Sequence, residues 1–185
     1  MDKRNHLIET ALALFVENGF HGTATARIAK EAGVANGTLF QYFKTKEELI
    51  LAVFVSVKGE LAAFLAADKT TGGVKEVMMA QYSGSIKWCL KHVAKYRYIQ
   101  QFYSSPYIHL MDQAELRRYI EPHLQLVEEG IRTKAIKALD IDLVYQLFST
   151  QTFGIVQYLI NNKGKKQKEV IETTFQMLWD MIKIK

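Results

Sequence analysis

The spacing of apolar residues along this chain predicts helices and no strands. In the first segment, apolar side chains recur every three or four positions, which is the period of one helix face. The same period returns in the later segments, and no alternating pattern bounded by hairpin signals interrupts it. We therefore predict an all-α protein of about nine helices. They cover approximately residues 3–18, 25–32, 36–43, 46–67, 74–94, 96–105, 121–139, 142–162 and 166–184.

Glycine and capping residues mark the ends of the first four predicted helices. "NGF" closes the first helix, because Gly19 is free to adopt the positive φ that ends a helix. Gly33 permits a tight turn after the second helix, and the third helix follows after a three-residue connection. Thr45 and Glu48 have the spacing of a capping box, which opens the fourth helix. The first three helices are thus predicted to form a helix-turn-helix.

Composition describes an ordinary globular protein, and its charge gives no reason by itself to expect nucleic-acid binding. The 185 residues are 49% hydrophobic and 23% charged, with two prolines. The single cysteine, Cys89, excludes an intrachain disulfide. The net charge is +5, but residues 1–48 contain six basic and six acidic side chains, so the whole excess lies in residues 49–185. A local motif has to carry any argument for DNA binding.

Signals for catalysis or membrane insertion are weak. We find no nucleophile elbow, phosphate loop or metal-binding helix, and the five histidines lack ligand spacing. The N-terminal "MDKRNHLIET" has no apolar h-region, and no apolar run approaches the roughly 18 residues of a membrane span. We therefore expect a cytoplasmic protein that is not an enzyme and has no membrane association, cofactor or metal site.

The stretch "GFHGTATARIAKEAGVANGTLFQYFKTKEEL" resembles the helix-turn-helix of the TetR family of bacterial transcriptional regulators. The match spans three helices in a fixed register and covers about the first quarter of the chain. Further on, "STQTFGIVQYLINN" is similar to the family's glycine-containing penultimate helix. The matching positions of the first stretch are Gly19-Phe20, Thr23, Ile28-Ala29, Ala32-Gly33-Val34, Gly37-Thr38-Leu39-Phe40, Tyr42-Phe43 and Lys46-Glu47.

The resemblance implies a helix-turn-helix DNA-binding domain at residues 1–47. Gly37 leaves no side chain between the third helix and a duplex. The side chains of Asn36, Thr38 and Gln41 carry donors and acceptors that suit base edges. For Thr38 and Gln41 the alternative, that they lie on a solvent-exposed helix face with no contact to DNA, is nearly as good. Candidate phosphate contacts are Thr23, Thr25, Tyr42 and Lys46.

Three hydroxyls that are usual in the family are missing from this chain. Ala24 and Ala35 stand where serine or threonine is common, and Phe40 stands where tyrosine is common. Phe40 cannot donate to a phosphate, and Arg27 is a candidate to compensate. The sequence also suggests that Asn36 caps the third helix from a shifted position, which competes with a role in reading bases.

The resemblance implies that residues 48–185 form an effector-binding and dimerisation domain. Seven aromatic residues lie between positions 82 and 111, and they fit either an apolar ligand pocket or a filled core. The candidate ligand-binding residues are Tyr82, Trp88, Cys89, His92, Phe102, Tyr103, Tyr107 and Met111. Wide apolar stripes on the last two helices suit a dimer interface, in part shared with the protomer's own core. Its candidate residues are Phe148, Gly154, Ile155, Tyr158, Phe175, Leu178 and Trp179.

The sequence therefore predicts a ligand-responsive transcriptional regulator, of the repressor type. It binds a near-palindromic double-stranded operator as a homodimer, and an apolar or aromatic small-molecule effector releases it. One alternative is a helical ligand-binding protein or enzyme that uses the aromatic pocket, with the helix-turn-helix serving only in packing. Another is a DNA-binding adaptor with a filled core and a protein partner in place of a ligand.

Overall fold

The computed structural model describes residues 2–185, and over this range the chain is helical. The ten α-helices and one short 3-10 helix of these residues are joined by turns, and the only β feature among them is an isolated antiparallel bridge between Ile136 and Lys183. The prediction of an all-α fold is confirmed. The helices are α1 (Lys3–Gly22), α2 (Thr25–Glu31), α3 (Asn36–Tyr42), α4 (Lys46–Ala66), α5 (Val74–Lys91), α6 (Val93–Tyr103), α7 (Gln113–Arg118), α8 (Glu121–Arg132), α9 (Ile141–Asn161) and α10 (Gln167–Ile182), with the 3-10 helix at Pro106–Leu110.

The chain divides into two compact units. Unit 1 contains the described residues up to Glu60 together with His92–Leu116, and unit 2 contains Leu61–Lys91 and Arg117–Lys185. Unit 1 therefore holds the helix-turn-helix, most of α4, and α6. These structural units do not follow the predicted functional division after residue 47, which stays a prediction.

Unit 1 is organised around Tyr98, a fully buried residue of α6. Its ring packs against Phe15 and Phe20, with centroid separations of 6.3 and 5.5 Å. Its hydroxyl donates to the backbone carbonyl of Ile50 in α4 at 2.8 Å. Burial raises the pKa of the Tyr98 hydroxyl, so the proton needed for this bond is retained. The Tyr98 side chain of α6 thus contacts both α1 and α4, through its ring and its hydroxyl respectively.

The break in α1 lies at Gly19, as predicted. Gly19 has φ 75° and ψ 165°, a conformation that is essentially restricted to glycine. The backbone turns here, and Phe20 packs back on Phe15 at 5.3 Å between ring centroids. The buried Thr23 hydroxyl lies within hydrogen-bond distance of the carbonyl oxygens of Gly19 and Leu14, at 2.8 and 3.1 Å. The glycine therefore fixes the direction in which the chain leaves α1 and enters α2.

Replacing Gly19 with alanine is expected to destabilise the protein by about 2 kcal/mol, because a Cβ is incompatible with this backbone conformation. The nearest atom to such a Cβ, apart from chain neighbours, is Gln101 Nε2 at 3.8 Å, so the cost is conformational rather than a clash. Thermal or urea unfolding measures the change. An unaltered stability would show that the chain tolerates another conformation at this position.

Unit 2 is built on the packing of α5 against α8, α9 and α10, with Tyr82 of α5 fully buried among them. The Tyr82 ring contacts Phe148 of α9 and Phe175 of α10, at 5.6 and 5.7 Å between centroids. The Tyr82 hydroxyl donates to Thr174 Oγ1 at 3.0 Å. An aromatic residue with a satisfied hydroxyl is an ordinary core residue, so Tyr82 has a packing role whatever else it does.

The helix predicted over residues 121–139 ends earlier, at Arg132. Lys134 has φ 61°, and the amides of Ala135 and Ile136 both donate to the carbonyl of Gly130, at 2.8 and 2.9 Å. A Cβ on Gly130 would lie 2.5 Å from Ile136 Cδ1, so the glycine provides the space that Ile136 fills. Because this turn depends on a packing contact, helical periodicity alone did not reveal it.

The expectation that no apolar run is long enough to cross a membrane is wrong for α4. By length and composition alone this helix is long and apolar enough to cross a membrane. Five of its apolar side chains lie in the protein core, however. The buried ones are Leu49, Ile50, Val53, Phe54 and Val57.

His123 is a buried titratable residue at the centre of unit 2. Its Nδ1 lies 2.7 Å from Gln81 Oε1, and its ring lies 4.1 Å from that of Phe148 between centroids. Burial lowers its pKa to about 4, from an unfolded value of 6.5. The folded state therefore resists protonation of His123. The contribution of the neutral His123 to stability is complete above pH 6.5 and is lost as the pH falls towards 4.

Acidification from about pH 7 to about pH 4.5 is expected to cost roughly 2 kcal/mol of stability through His123 alone. Urea unfolding of the wild-type protein and of His123→Gln at both pH values isolates this contribution, because the variant lacks the titrating group. An equal loss of stability in both proteins would assign the acid sensitivity to other groups.

Candidate nucleic-acid interface

The turn between α2 and α3 has the geometry of a helix-turn-helix. The amide of Val34 donates to the carbonyl of Ala29 at 2.9 Å, and the amide of Gly33 donates to that of Lys30 at 3.0 Å. This pair of bonds, with Gly33 at φ 67°, is a Schellman motif. Gly33 thus ends α2 and sets the direction of the chain into α3, as the sequence predicted.

Helix α3 has a buried inner face and an exposed outer face. Leu39 is fully buried and Phe43, which follows the helix, is almost so; the guanidinium of Arg4 lies 5.2 Å from the centroid of the Phe43 ring. These contacts hold α3 in place. Thr38 is half-buried, whereas the outer face is formed by Asn36, Gly37, Phe40 and Gln41.

Gly37 has open space around it. No atom lies within 4 Å of a Cβ built at this position, leaving aside its chain neighbours and the helix's own backbone. Its φ also lies outside the region that favours glycine. Nothing in the described residues 2–185 therefore requires a glycine here, and its missing side chain matters only to a molecule that approaches α3 from outside.

The starts of α2 and α3 lack side-chain caps. Ala24 and Ala35 occupy the two N-cap positions, and neither helix has a capping hydrogen bond from a side chain of the described residues. Asn36 is the first helical residue of α3, so the suggestion that it caps this helix is wrong. The exposed Asn36 amide is instead left for contacts with a ligand or solvent.

The predicted phosphate contacts are placed differently from one another. Thr23 is fully buried with its hydroxyl bonded inside the protein, which makes it a structural residue and removes its side chain from the candidate set. Tyr42 is exposed, while Thr25 and Lys46 are half-buried at the starts of α2 and α4. Arg27 is exposed, with Nη1 3.2 Å from Asn18 Oδ1 and Nη2 3.9 Å from Glu17 Oε2.

A capping box fixes the start of α4 next to this surface. The Glu48 amide donates to Thr45 Oγ1 at 3.1 Å, as predicted. The Glu48 carboxylate accepts a hydrogen bond from the amide of Lys44 at 2.6 Å, one residue before the amide donor expected in the box. The box orders the segment that carries Lys44 and Lys46, although Lys44 was not among the predicted contacts.

The residues predicted to bind a ligand fall into both compact units. Tyr82, Trp88 and Cys89 are buried residues of unit 2. Phe102 and Met111 are buried in unit 1, where Phe102 stacks on Phe54 at 3.9 Å between centroids. The remaining candidates, His92, Tyr103 and Tyr107, are half-buried in unit 1. Several of these side chains have core contacts, and their role in binding a ligand stays a prediction.

Unit 2 contains a half-open cleft of about 980 Å³, formed by the end of α4, by α5 and by the start of α10. None of the eight predicted ligand residues lines it. Its apolar lining includes Phe64, Leu65, Met79 and Ile171, and its charged lining includes Asp68, Glu76, Lys87, Lys168 and Glu172. Its volume is at the upper end of the range of small-molecule sites.

The predicted dimer residues also separate into two groups. Phe148, Phe175, Leu178 and Trp179 are buried in the protomer, whereas Ile155 is half-buried and Gly154 and Tyr158 are exposed. Further exposed apolar side chains lie on the same two helices or just after the end of α10, and they were not predicted. Together with Tyr158 they form what we call the outer stripe: Leu143, Tyr158, Met177, Met181 and Ile184.

A helix-turn-helix with an exposed second helix, carried by a larger all-helical chain, defines a DNA-binding transcriptional regulator. Residues 7–53 match the model of the bacterial regulatory proteins of the tetR family. The helix-turn-helix segment therefore matches the TetR family of transcriptional regulators, and the resemblance stated from the sequence of this segment is confirmed.

Relatives along the whole chain agree with this assignment. The fatty acid metabolism regulator protein of Bacillus subtilis (strain 168) is 26% identical over 166 residues, which is 87% of this chain and 86% of the relative. A tetR family transcription regulator from Shewanella sp. PV-4 has a similar crystal structure, with a TM-score of 0.92 and 28% identity over 100% of both chains. The structure of FadR from Bacillus subtilis in complex with stearoyl-CoA has a TM-score of 0.77 and 23% identity, over 94% of this chain and 96% of that one.

Proposed function

We propose that the protein is a homodimeric repressor that binds a near-palindromic operator and is released from it by an amphipathic effector with a long apolar chain. The exposed outer face of α3, with its open position at Gly37, is the observation that carries this proposal. The exposed side chains of this face are available to a DNA groove, whereas the packing of α3 rests on the buried side chains of its inner face. The protein acts in the cytoplasm, where its operator lies.

The contacts with DNA divide into readers and positioning residues. Asn36, Thr38 and Gln41 read base edges, because their side chains carry donors and acceptors and lie on or beside the outer face of α3. Phosphates are contacted by the side chains of Thr25, Arg27, Tyr42 and Lys46. To reach a phosphate, the Arg27 guanidinium would have to leave the half-buried Asn18 and the exposed Glu17.

A twofold dimer explains the outer stripe. Its side chains lie on α9, on α10 or just after the end of α10, and they are exposed in the protomer. Gly154 of α9 also has open space around it. A second copy of the same surface buries these apolar groups through a self-complementary interface. Two copies of α3 then read two half-sites related by twofold symmetry, so the operator is a near-palindrome.

The effector class is suggested by relatives. One relative is named as a regulator of fatty acid metabolism, and a protein of the same fold binds stearoyl-CoA. The cleft in unit 2 suits such a molecule, because Phe64, Leu65 and Met79 offer apolar surface to an acyl chain. Lys87 and Lys168 offer positive charge to phosphate groups, although Glu172 lies 3.8 Å from Lys168 and competes for it. An effector of this kind acts as a switch only if it binds the DNA-competent and DNA-free conformers unequally.

Selection of binding sites from random duplexes by the purified protein tests the DNA-binding part of the proposal. One near-palindrome should be recovered, and its affinity should fall steeply with salt. Gln41→Ala should then change the preference among related sites, whereas Lys46→Ala should weaken binding to all of them equally. Weak binding that ignores sequence would contradict the proposal, and a uniform loss for Gln41→Ala would remove that residue from the readers.

Stearoyl-CoA provides the probe for the effector. It should release the wild-type protein from the selected operator, and Ala80→Trp, which fills the cleft, should bind the operator normally but resist release. Ala138→Trp, at an exposed position outside the cleft, is the matched control and should respond like the wild type. A normal response in Ala80→Trp would place the effector elsewhere in residues 48–185. No response in the wild type would exclude this acyl-CoA as the effector.

A further inference from the structure

Phe40 is an apolar side chain on a surface that is otherwise polar or bare. Phe40 is 37% exposed and lies on the outer face of α3. It follows Asn36 and Gly37 by one helical turn and directly precedes Gln41. The inner face of α3 is complete without it, because Leu39 fills that face and Phe43 continues it. Phe40 is therefore partly covered by neighbouring residues and partly open to a molecule that approaches α3 from outside.

A single exposed apolar residue is common on protein surfaces and by itself needs no explanation. Phe40 differs because of its neighbours. It stands beside a glycine that leaves the helix backbone open to an approaching molecule and beside a glutamine suited to adenine. Within the described residues, its ring takes part in none of the aromatic pairs and is under no cation. Any molecule bound against this face of α3 meets the phenyl ring.

The chemistry of the ring selects what it contacts. A phenyl group has no hydrogen-bond donor for a phosphate oxygen and none for a base edge. The major groove offers one apolar group among its polar edges, the 5-methyl group of thymine, and phenylalanine is among the side chains that contact it. We infer that Phe40 reads thymine methyl groups in the operator. This inference rests on the proposed function, namely that α3 enters the major groove.

The size of the effect follows from the size of the group. Burying one methyl-sized group changes an affinity roughly fourfold. A near-palindrome presents the same thymine once in each half-site, so removing both methyl groups weakens binding by about tenfold to twentyfold. Such a difference is readily measured by titration.

The test replaces thymines by deoxyuridine, which removes only the methyl group and keeps base pairing. The operator recovered from random duplexes is prepared with each symmetry-related pair of thymines replaced in turn. For the wild-type protein at least one such pair should weaken binding about tenfold to twentyfold. For Phe40→Ala the same replacement should have no effect, because the ring that senses the methyl group is absent. Lys46→Ala, the matched control, should keep the full response to deoxyuridine while binding more weakly throughout.

The possible outcomes separate this inference from the proposed function. If no operator is recovered at all, the proposed function fails. If an operator is recovered but contains no thymine whose replacement matters, or if the wild type and Phe40→Ala respond equally, only the role of Phe40 is wrong. Thermal unfolding checks that Phe40→Ala is folded at the assay temperature, and the comparison between the two operators within one variant does not depend on its stability.

Discussion

Gly37→Ala is expected to weaken operator binding about 100-fold without destabilising the protein. Alanine adds a methyl group on the face of α3 that approaches DNA, and each reading helix then loses contacts worth at least about 1.4 kcal/mol. A dimer carries the change twice, which multiplies the two factors. Titration of the selected operator measures the loss.

The protein itself should tolerate this substitution. The new Cβ meets no atom within 4 Å, and alanine in a helix is favoured over glycine by up to about 1 kcal/mol. Gly59→Ala in α4 is the matched control, since its Cβ also meets open space. The control should gain similar stability and keep its operator affinity. Normal operator binding by Gly37→Ala would show that the backbone of α3 does not approach DNA closely.

Much of the helix-turn-helix was predictable because its signals are local. Gly19 and Gly33 adopt positive φ where helices end, and Thr45 accepts a hydrogen bond from the amide of Glu48 as its spacing indicates. Each of these features involves residues at most a few positions apart. Because each feature depends only on nearby residues, the spacing of the motif can be read directly from the sequence. The first quarter of the chain was therefore enough to indicate the TetR family.

The larger unit was less predictable because its faces are decided by contacts distant in sequence. Phe175 and Met177 lie two positions apart on α10, yet Phe175 packs against Tyr82 while Met177 faces outwards. A wide apolar stripe does not tell these two surfaces apart. The cleft brings residues near position 64 together with residues near position 171, so its location could not be read from either segment alone.

The role of Thr23 illustrates the same limit within the helix-turn-helix itself. Its residue type and its position in the motif suit a phosphate contact. The conformation of Gly19 instead brings its hydroxyl against two backbone carbonyls, where it is fully buried. A threonine whose hydroxyl bonds backbone carbonyls near a helix end and a threonine whose hydroxyl contacts a phosphate cannot be told apart from the sequence alone. Only burial separates them.

Met177→Glu is expected to convert the proposed dimer to a monomer and to have the largest effect on operator binding. Met177 is 64% exposed in the protomer, more than any other apolar residue of the outer stripe. In a self-complementary interface the substitution buries two carboxylates in apolar surroundings, which costs several kcal/mol. A monomer holds one half-site only, so operator affinity should fall roughly 100- to 10,000-fold.

Sedimentation and operator titration of the same samples check this prediction, and two controls limit the interpretation. Met177→Leu keeps an apolar side chain of similar volume, so it should remain dimeric and bind normally. Gln113→Glu adds a negative charge at an exposed position outside α9 and α10, which tests for a simple electrostatic effect on DNA binding. The substituted side chain is solvated in the monomer, so Met177→Glu should leave the protomer folded. A dimeric Met177→Glu with unaltered operator affinity would show that the two copies associate through another surface.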